Sequence, residues 1–402
     1  MGHPGRDGSD FRDARVRTIG VITVSRSDYG IYLPILRRIE EDPELRLHLV
    51  VAGTHLSPEF GLTVKSIESD GFDIAERVEM LLSSDTPEGV VKSMGLGVIG
   101  FAQSYARFRP DILLVLGDRF EMHAAALAAL PFKIPVGHIH GGEITQGAID
   151  DALRHSMTKL SHLHFVATEE YARRIMQMGE EPWRVIVSGA PSLDNLKNVQ
   201  LLSRKELEAL LGFRLDKDPL LVTYHPVTLE YEQTEWQTGE LLKALEVFDL
   251  PMIFTFPNAD VSGRVILNII KSFVKKYARA HLVENLGTQG YFSVMALAAA
   301  MVGNSSSGIV EAPSFKLPVV NIGTRQQGRI REKNVLDVGY SHAEIRAAIA
   351  KAISPDFRAG LKDLISPYGD GHSAERIVRR LKEIKPGDDL LVKGFYNMGG
   401  PA

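Results

Sequence analysis

Cysteine is absent from all 402 residues of the sequence. This excludes disulfides, thiolate nucleophiles and cysteine-ligated metals, and it fits a reducing cytoplasm. No apolar run approaches the roughly 20 residues that a membrane-spanning helix requires. The loop after the first predicted strand, Ser25–Gly30, is not GxGxxG, and the chain has no Walker A sequence, so neither a dinucleotide site there nor a P-loop ATP site is supported. We therefore predict a cytoplasmic protein that uses no cysteine chemistry.

The charge balance gives little reason to expect a charged macromolecular partner. The net charge is −4, with 44% hydrophobic and 24% charged residues, as in an ordinary globular protein. Neither nucleic acid nor a membrane is favoured as a partner. Residues 1–17 are polar and lack the apolar stretch of a signal peptide, so we predict a disordered tail there.

Strand-like and helix-like segments alternate along the rest of the chain. The strand-like runs are continuously apolar, which is typical of strands buried on both faces of a parallel sheet. A chain of this length exceeds one hydrophobic core. We predict an α/β protein with two Rossmann-like, doubly wound domains, 18–190 and 199–371, that face a cleft. A last helix over 372–386 is expected to cross back onto the first domain.

Two polar motifs in the first half follow neighbouring predicted strands. Asp118 and Arg119 follow the strand 112–116, and the sequence from His138 to Glu143 follows the next one. Ligands bind at the carboxyl ends of strands in open α/β sheets, so these groups are expected in one cleft. Asp118, His140 and Glu143 are candidate acid/base groups. The alternative is a helix cap with a structural ion pair. We predict no metal site, because further ligands at typical spacing are not evident.

Two helix starts in the first half also carry candidate groups. Asp150 is interpreted either as a helix N-cap or as an acid/base group that points into the cleft. His155 lies four residues after Asp151, so these two side chains can pair on one helical face. Arg26, after the first strand, offers a planar guanidinium that suits a diphosphate. The alternative for that loop is an N-cap by Ser27 or Asp28.

The second half supplies small hydroxyls and bare backbone at the start of a helix. Ser305 and Ser306 are expected to bind phosphate there, and Glu311 could accept two hydrogen bonds from a ribose diol. The alternative is an ordinary helix with Ser305 as N-cap. Further groups follow other predicted strands: His225, Asn258, Arg325 and Arg329.

In this order, the motifs resemble those of the UDP-N-acetylglucosamine 2-epimerase family, in particular its hydrolysing branch in sialic and legionaminic acid pathways. The resemblance covers about residues 18–385 and rests on SRSDYG, GDRFE, HIHGGE, IDDALRH, YHPVT, FPN, GNSSSGIVE and GTRQQGR. It implies a glycosyltransferase-B-like (GT-B-like) fold, no cofactor, a UDP-sugar substrate and a homodimer or homotetramer.

The resemblance also implies roles for individual residues. Asp118 and Asp150 match acid/base residues. Many family members have HIEGGE where this chain has HIHGGE, so the role of that glutamate passes to His140 or Glu143. The residues that match UDP contacts are Arg26, Arg119, His225, Asn258, Leu286, Ser305, Ser306, Glu311 and Arg325.

The implied activity is hydrolytic 2-epimerisation of a UDP-N-acetylhexosamine. UDP is eliminated to leave a glycal, which is hydrated to a free sugar with C2 inverted. The product would be N-acetylmannosamine or 2,4-diacetamido-2,4,6-trideoxymannose. The alternatives are a non-hydrolysing 2-epimerase, a GT-B glycosyltransferase and a nucleotide-sugar sensor without catalysis.

Overall fold

A computed structural model describes residues 16–82, 84, 86–145, 149–227, 229–257, 262–385 and 387–398. Asn258 and most of the predicted N-terminal tail lie outside the described residues. Within them, two parallel sheets of seven and six strands form two α/β domains, as expected. None of the described helices combines the length and the apolar character that crossing a membrane requires.

The first domain alternates strands and helices along the chain. Its strands are β1 (Arg17–Thr23), β2 (Leu45–Ala52), β3 (Ile74–Val78), β4 (Ile112–Leu116), β5 (Val136–Ile139), β6 (Leu163–Val166) and β7 (Val185–Val187). Its helices are α1 (Arg26–Glu41), α2 (Val64–Ser69), α3 (Pro87–Arg107), α4 (Phe120–Ala129), α5 (Asp150–Leu160), α6 (Glu169–Gln177) and α7 (Asp194–Asn198). The strand order is β3-β2-β1-β4-β5-β6-β7.

The second domain repeats this pattern. Its strands are β8 (Leu220–Thr223), β9 (Met252–Thr255), β10 (Ala280–Val283), β11 (Ala300–Gly303), β12 (Val319–Ile322) and β13 (Val335–Val338). The helices from here to the end of the chain are α8 (Arg204–Leu211), α9 (Thr234–Leu245), α10 (Gly263–Val274), α11 (Gly287–Leu297), α12 (Ser307–Val310), α13 (His342–Ala352), α14 (Pro355–Ala359), α15 (Ser373–Glu383) and α16 (Asp388–Leu391). The strand order is β10-β9-β8-β11-β12-β13.

Both sheets have a topological switch point, where the order of the strands reverses. In the first sheet β1 lies between β2 and β4, with Ile19 beside Ile112. In the second sheet β8 lies between β9 and β11, with Leu220 beside Ala300. Loops leaving the carboxyl ends of such strand pairs diverge and leave a crevice, which places the ligand site of each domain.

The last long helix belongs to the core of the first domain. The buried side chains of α15, including Ile377 and Leu381, join the hydrophobic cluster around β1 and α1. Arg17 donates hydrogen bonds to the carbonyls of Leu381 and Lys382. The prediction that residue 17 belongs to a disordered tail is therefore wrong, because Arg17 begins β1 and caps the end of α15.

The chain crosses between the domains at one end of the cleft. There Ala190 N donates to Tyr368 O at 2.7 Å, which ties the outgoing and returning segments together. A buried cluster that includes Tyr171, Ile309 and Tyr368 links α6 to α12. We call this region, which contains Tyr171, Ile330 and Tyr368, the hinge end of the cleft.

Candidate active site

Asp118 is held by a buried arginine. It follows β4, and Arg154 Nη2 of α5 donates to its carboxylate. Arg154 is 1% exposed, and its Nη1 also donates to Glu143 O at 3.1 Å. Burial, with Arg329 nearby, lowers the pKa of Arg154. Sequence reasoning missed Arg154, although it lies one helical turn after Asp150 and Asp151.

His140 and Glu143 form a second pair directly after β5. Nδ1 of His140 lies 2.6 Å from Oε1 of Glu143, and Arg329 Nη2 lies 2.9 Å from the other carboxylate oxygen. Arg329 reaches Glu143 from the loop after β12 of the other domain. Burial opposes ionisation of Glu143, but Arg329 and His140 outweigh it and hold the pKa of this carboxyl below its ordinary value. Glu143 is thus the shared acceptor in a buried interdomain ion pair.

Asp150 begins α5 but does not cap it. The N-cap position is Ile149, which makes no side-chain capping bond, so the N-cap interpretation of Asp150 is wrong. The structure leaves the Asp150 side chain half-buried at the start of the helix. Its neighbour Asp151 accepts a hydrogen bond from Thr145 N at 2.7 Å and lies 3.6 Å from His155 Nε2, which agrees with the expected Asp151–His155 pair.

The loop after β1 is stabilised by a capping box. Ser25 is the N-cap of α1, and its backbone N donates a hydrogen bond to the Asp28 carboxylate. The expectation of an N-cap by Ser27 or Asp28 is therefore wrong, because the helix begins at Arg26. This start leaves Arg26 exposed at the first turn, where its Nη1 donates to Glu284 O at 2.9 Å across the cleft.

Asn304 organises the opposite wall of the cleft. Its side-chain amide exchanges two hydrogen bonds with the His225 backbone, at 2.7 and 2.8 Å. Its carbonyl accepts bonds from Arg325 Nη1 at 3.2 Å and Gln326 Nε2 at 2.8 Å. Burial and Arg325 hold the pKa of His225 well below its ordinary value, so the imidazole is neutral. Asn304 was not among the predicted site residues, yet it joins the loops after β8, β11 and β12.

The helix that carries the predicted phosphate seat is very short. α12 is a single turn, and Ser306 rather than Ser305 occupies its N-cap position, without a side-chain capping bond. Ser305 Oγ instead accepts a bond from Ser307 N at 3.3 Å. Glu311 is buried at the end of this turn, and burial raises the pKa of its carboxyl despite nearby hydroxyl groups. Because α12 is only one turn long, it offers an anion its backbone N–H groups rather than a substantial helix dipole.

A cavity of about 950 Å³ lies at the other end of the cleft, which we call the open end. Arg26, Arg119, Glu284 and Asn285 line it. Arg119 is oriented by two bonds to Glu121, at 3.1 and 2.9 Å. Leu286 follows Asn285, at the N-cap position of α11. The structure thus places Arg26 and Arg119 at the cavity of the open end.

Comparisons with known proteins decide the family. A sequence profile described as UDP-N-acetylglucosamine 2-epimerase matches residues 37–382. The chain belongs to this family.

Among the described residues, no group of three histidine, aspartate or glutamate side chains is arranged to hold a metal ion.

Two bacterial family members match nearly the whole chain. A Campylobacter jejuni protein named GDP/UDP-N,N'-diacetylbacillosamine 2-epimerase (hydrolyzing) is 40% identical over 95% of this chain and 99% of its own length. The Legionella pneumophila UDP-N,N'-diacetylbacillosamine 2-epimerase (hydrolyzing) is 35% identical over 94% and 99%. In fold, this epimerase-family chain matches a Neisseria meningitidis UDP-GlcNAc 2-epimerase crystallised with UDP-GlcNAc, with a TM-score of 0.78, 20% identity and coverage of 91% and 100%.

Proposed function

We propose that this protein is a hydrolysing 2-epimerase of a UDP-N-acetylhexosamine. It converts the nucleotide sugar to UDP and a free sugar with inverted C2. The observation that carries the proposal is the arrangement of the partly buried Asp118 and His140 and the buried Glu143 after β4 and β5. These acid/base groups lie at the carboxyl ends of neighbouring strands, and the Asn304–Glu311 segment supplies the opposite wall. The names of the Campylobacter and Legionella relatives support the hydrolytic reaction.

The chemistry explains why acid/base groups and an anion seat must face each other. The hydrogen at C2 of an acetamido sugar becomes removable as UDP leaves and positive charge grows at C1. Donors around the diphosphate stabilise the leaving group, and a base takes the C2 proton. Water then adds at C1, and an acid protonates C2 from the other face. Asp118 and Asp150 are proposed for these proton transfers, together with either His140 or Glu143.

The proposed UDP contacts span the cleft. Ser305, Ser306 and Arg325 would hold the diphosphate, and Glu311 the ribose. Leu286 would contact the uracil through its backbone. Arg26, Arg119 and His225 complete the proposed set; Asn258, the remaining member, lies outside the described residues. The hydrogen bonds that Asn304 makes to the His225 backbone and accepts from Arg325 support a seat assembled from three loops.

We propose the 2,4-diacetamido-2,4,6-trideoxy sugar as the preferred substrate over N-acetylglucosamine. Both named relatives are diacetylbacillosamine epimerases. A site that fits an acetamido group and a methyl leaves polar partners unpaired with the other sugar, and such mismatches discriminate strongly.

We also propose a cytoplasmic homodimer or homotetramer. α3 exposes the apolar side chains of Val91, Leu96 and Ile99, which are available for contact with a second copy of the chain. Light scattering at several protein concentrations would measure the oligomeric state, and a monomer at every concentration would contradict this part of the proposal.

The deciding experiment is incubation with each UDP-sugar in D2O, followed by NMR and chromatography of the products. We expect UDP and a free manno-configured sugar that carries deuterium at C2. Recovery of a UDP-sugar with inverted C2 would instead identify a non-hydrolysing epimerase. Transfer only to an added acceptor would indicate a glycosyltransferase. Free sugar that retains the original C2 hydrogen would exclude the glycal route.

A further inference from the structure

His140 has an unusual backbone and an unused ring atom. Its φ is 64°, in the left-handed region that non-glycine residues adopt only at a cost. The backbone N donates to Phe165 O at 3.0 Å, which fixes this conformation. Nδ1 is occupied by Glu143, whereas Nε2 is buried without a hydrogen-bond partner. A strained residue that presents one unsatisfied polar atom is a feature of functional sites.

Glu143 has no carboxylate oxygen left for a substrate. Oε1 accepts from His140, Oε2 pairs with Arg329, and its side chain is only 2% exposed. An ionised carboxylate only accepts hydrogen bonds, so the His140 proton in this contact sits on Nδ1. The lone pair of the neutral ring is therefore on Nε2, the atom without a partner.

The loop that carries Arg329 is fixed to the other domain. Ile330 N donates to Tyr171 OH at 3.2 Å, and Tyr368 OH donates to Ile330 O at 2.9 Å. Gly328 packs so closely on the first domain that an added Cβ would lie 2.5 Å from Ile144. Arg329 is thus positioned at the hinge end, where these contacts join the two domains.

We propose that His140 is the base at C2, and that Glu143 and Arg329 are positioning residues that set its ring orientation and tautomer. The inference rests on the proposed function and settles its choice between His140 and Glu143. His140 Nε2 takes the C2 proton. The electron pair of that C–H bond forms the C1=C2 double bond, and the C1–O pair leaves with UDP.

The charges around the ring support this assignment. Glu143 faces Nδ1 and offsets the positive charge that the ring acquires. Arg329 balances Glu143 from the second domain. Glu311 lies across the cleft and interacts electrostatically with His140, and His138 lies behind it on β5. Asp118 and Asp150 remain to return a proton to C2 from the opposite face.

The test compares H140Q, E143Q and R329Q, alone and combined, with R329K and a control. R107Q is the control, because Arg107 forms an ion pair with Glu76 at 2.6 Å on the surface and neither residue lines the cavity of the cleft. We expect H140Q to lower kcat by about 10²-fold or more. E143Q and R329Q should lower kcat by about 10- to 100-fold, as misplacement of a catalytic group does. KM and UDP affinity should change little, and R107Q should resemble the wild type.

Double variants show whether Glu143 and Arg329 act only by positioning His140 or act on the substrate themselves. In the H140Q background, E143Q and R329Q should lower kcat by no more than about twofold, the error expected of additive behaviour. R329K should recover part of the activity, since it keeps the charge but loses the planar fork. If the E143Q effect instead multiplies with that of H140Q, Glu143 acts on the substrate itself and the inference is wrong. Weakened UDP binding with unchanged kcat in R329Q would make Arg329 a substrate contact, with the same consequence.

A measurement without turnover keeps this inference separate from the proposed function. Long-range ¹H–¹⁵N NMR of histidine rings reports the tautomer, and H140Q identifies the His140 signal among the 13 histidines. We expect the proton on Nδ1 in the wild type and a mixed tautomer in E143Q and R329Q. A wild-type ring with its proton on Nε2 would overturn the relay. Absence of turnover on both UDP-sugars, with the expected tautomers, would refute the proposed function alone.

Discussion

The two ends of the interdomain cleft are built from the same kinds of residue but in opposite environments. At the hinge end, Arg329 and Glu143 form an ion pair with side chains 9% and 2% exposed. At the open end, Arg264 and Glu59 pair with side chains 48% and 39% exposed, beside the cavity. Burial makes the loss of one partner costly, whereas an exposed pair contributes little. The hinge-end pair should therefore contribute more to holding the two domains together than the open-end pair does.

The largest effect should follow the loss of Arg154. Arg154→Met would leave Asp118 without its buried partner, and removal of one member of such a pair costs about 3–5 kcal/mol. Arg107→Met is a control, because Arg107 pairs with Glu76 at the surface and should cost at most about 1 kcal/mol. Urea unfolding followed by circular dichroism measures both. Equal losses in the two variants would remove the energetic distinction between buried and exposed pairs.

Asp118→Asn should lower turnover by about 10²-fold or more, as the loss of a general acid or base does, and it should also lower stability because Arg154 loses its carboxylate partner. The amide keeps the shape of the side chain, so UDP affinity by calorimetry should survive. Unchanged turnover with lost UDP affinity would move Asp118 from the catalytic group to the nucleotide seat.

Ser306→Ala and Glu311→Gln test the wall opposite the acid/base groups. Each should weaken UDP binding by about 1–3 kcal/mol, the scale of a lost hydrogen bond to a charged group. Calorimetric titration with UDP alone measures this without turnover. If affinity is unchanged in both variants, the diphosphate and ribose bind elsewhere, and the cavity at the open end becomes the better candidate.

The smallest effect is expected at the open end. Arg264→Gln should change the free energy of unfolding by less than about 1 kcal/mol, because water and salt screen the exposed pair. Unfolding in low and high salt would check this, and the wild-type advantage should shrink as salt rises. A loss as large as that of Arg154→Met would mean that both ends stabilise the domain arrangement equally.

Sequence patterns located most of the site but not its internal contacts. The continuous apolar runs correctly placed Asp118 and His140 just after strands. A buried parallel strand shows itself in its own residues, so a short stretch of sequence is enough to predict it. The continuous apolar pattern does not detect β3 and β13, because most of their residues are half-exposed or exposed. The partners of Glu143 depend on how two distant domains meet, and no local pattern encodes the 2.9 Å contact with Arg329. The N-cap of α1 was predicted incorrectly because several polar residues, including Ser25 and Asp28, compete for one capping position.

The return of α15 to the first domain bears on how the chain is made. Ile377 and Leu381 complete a core whose other members begin at Ile19. The first domain therefore cannot bury its full apolar surface until nearly the whole polypeptide has left the ribosome. The second domain, whose sheet comes from a continuous stretch of sequence, is free to fold earlier. This reverses the usual order of synthesis, in which the N-terminal domain folds first.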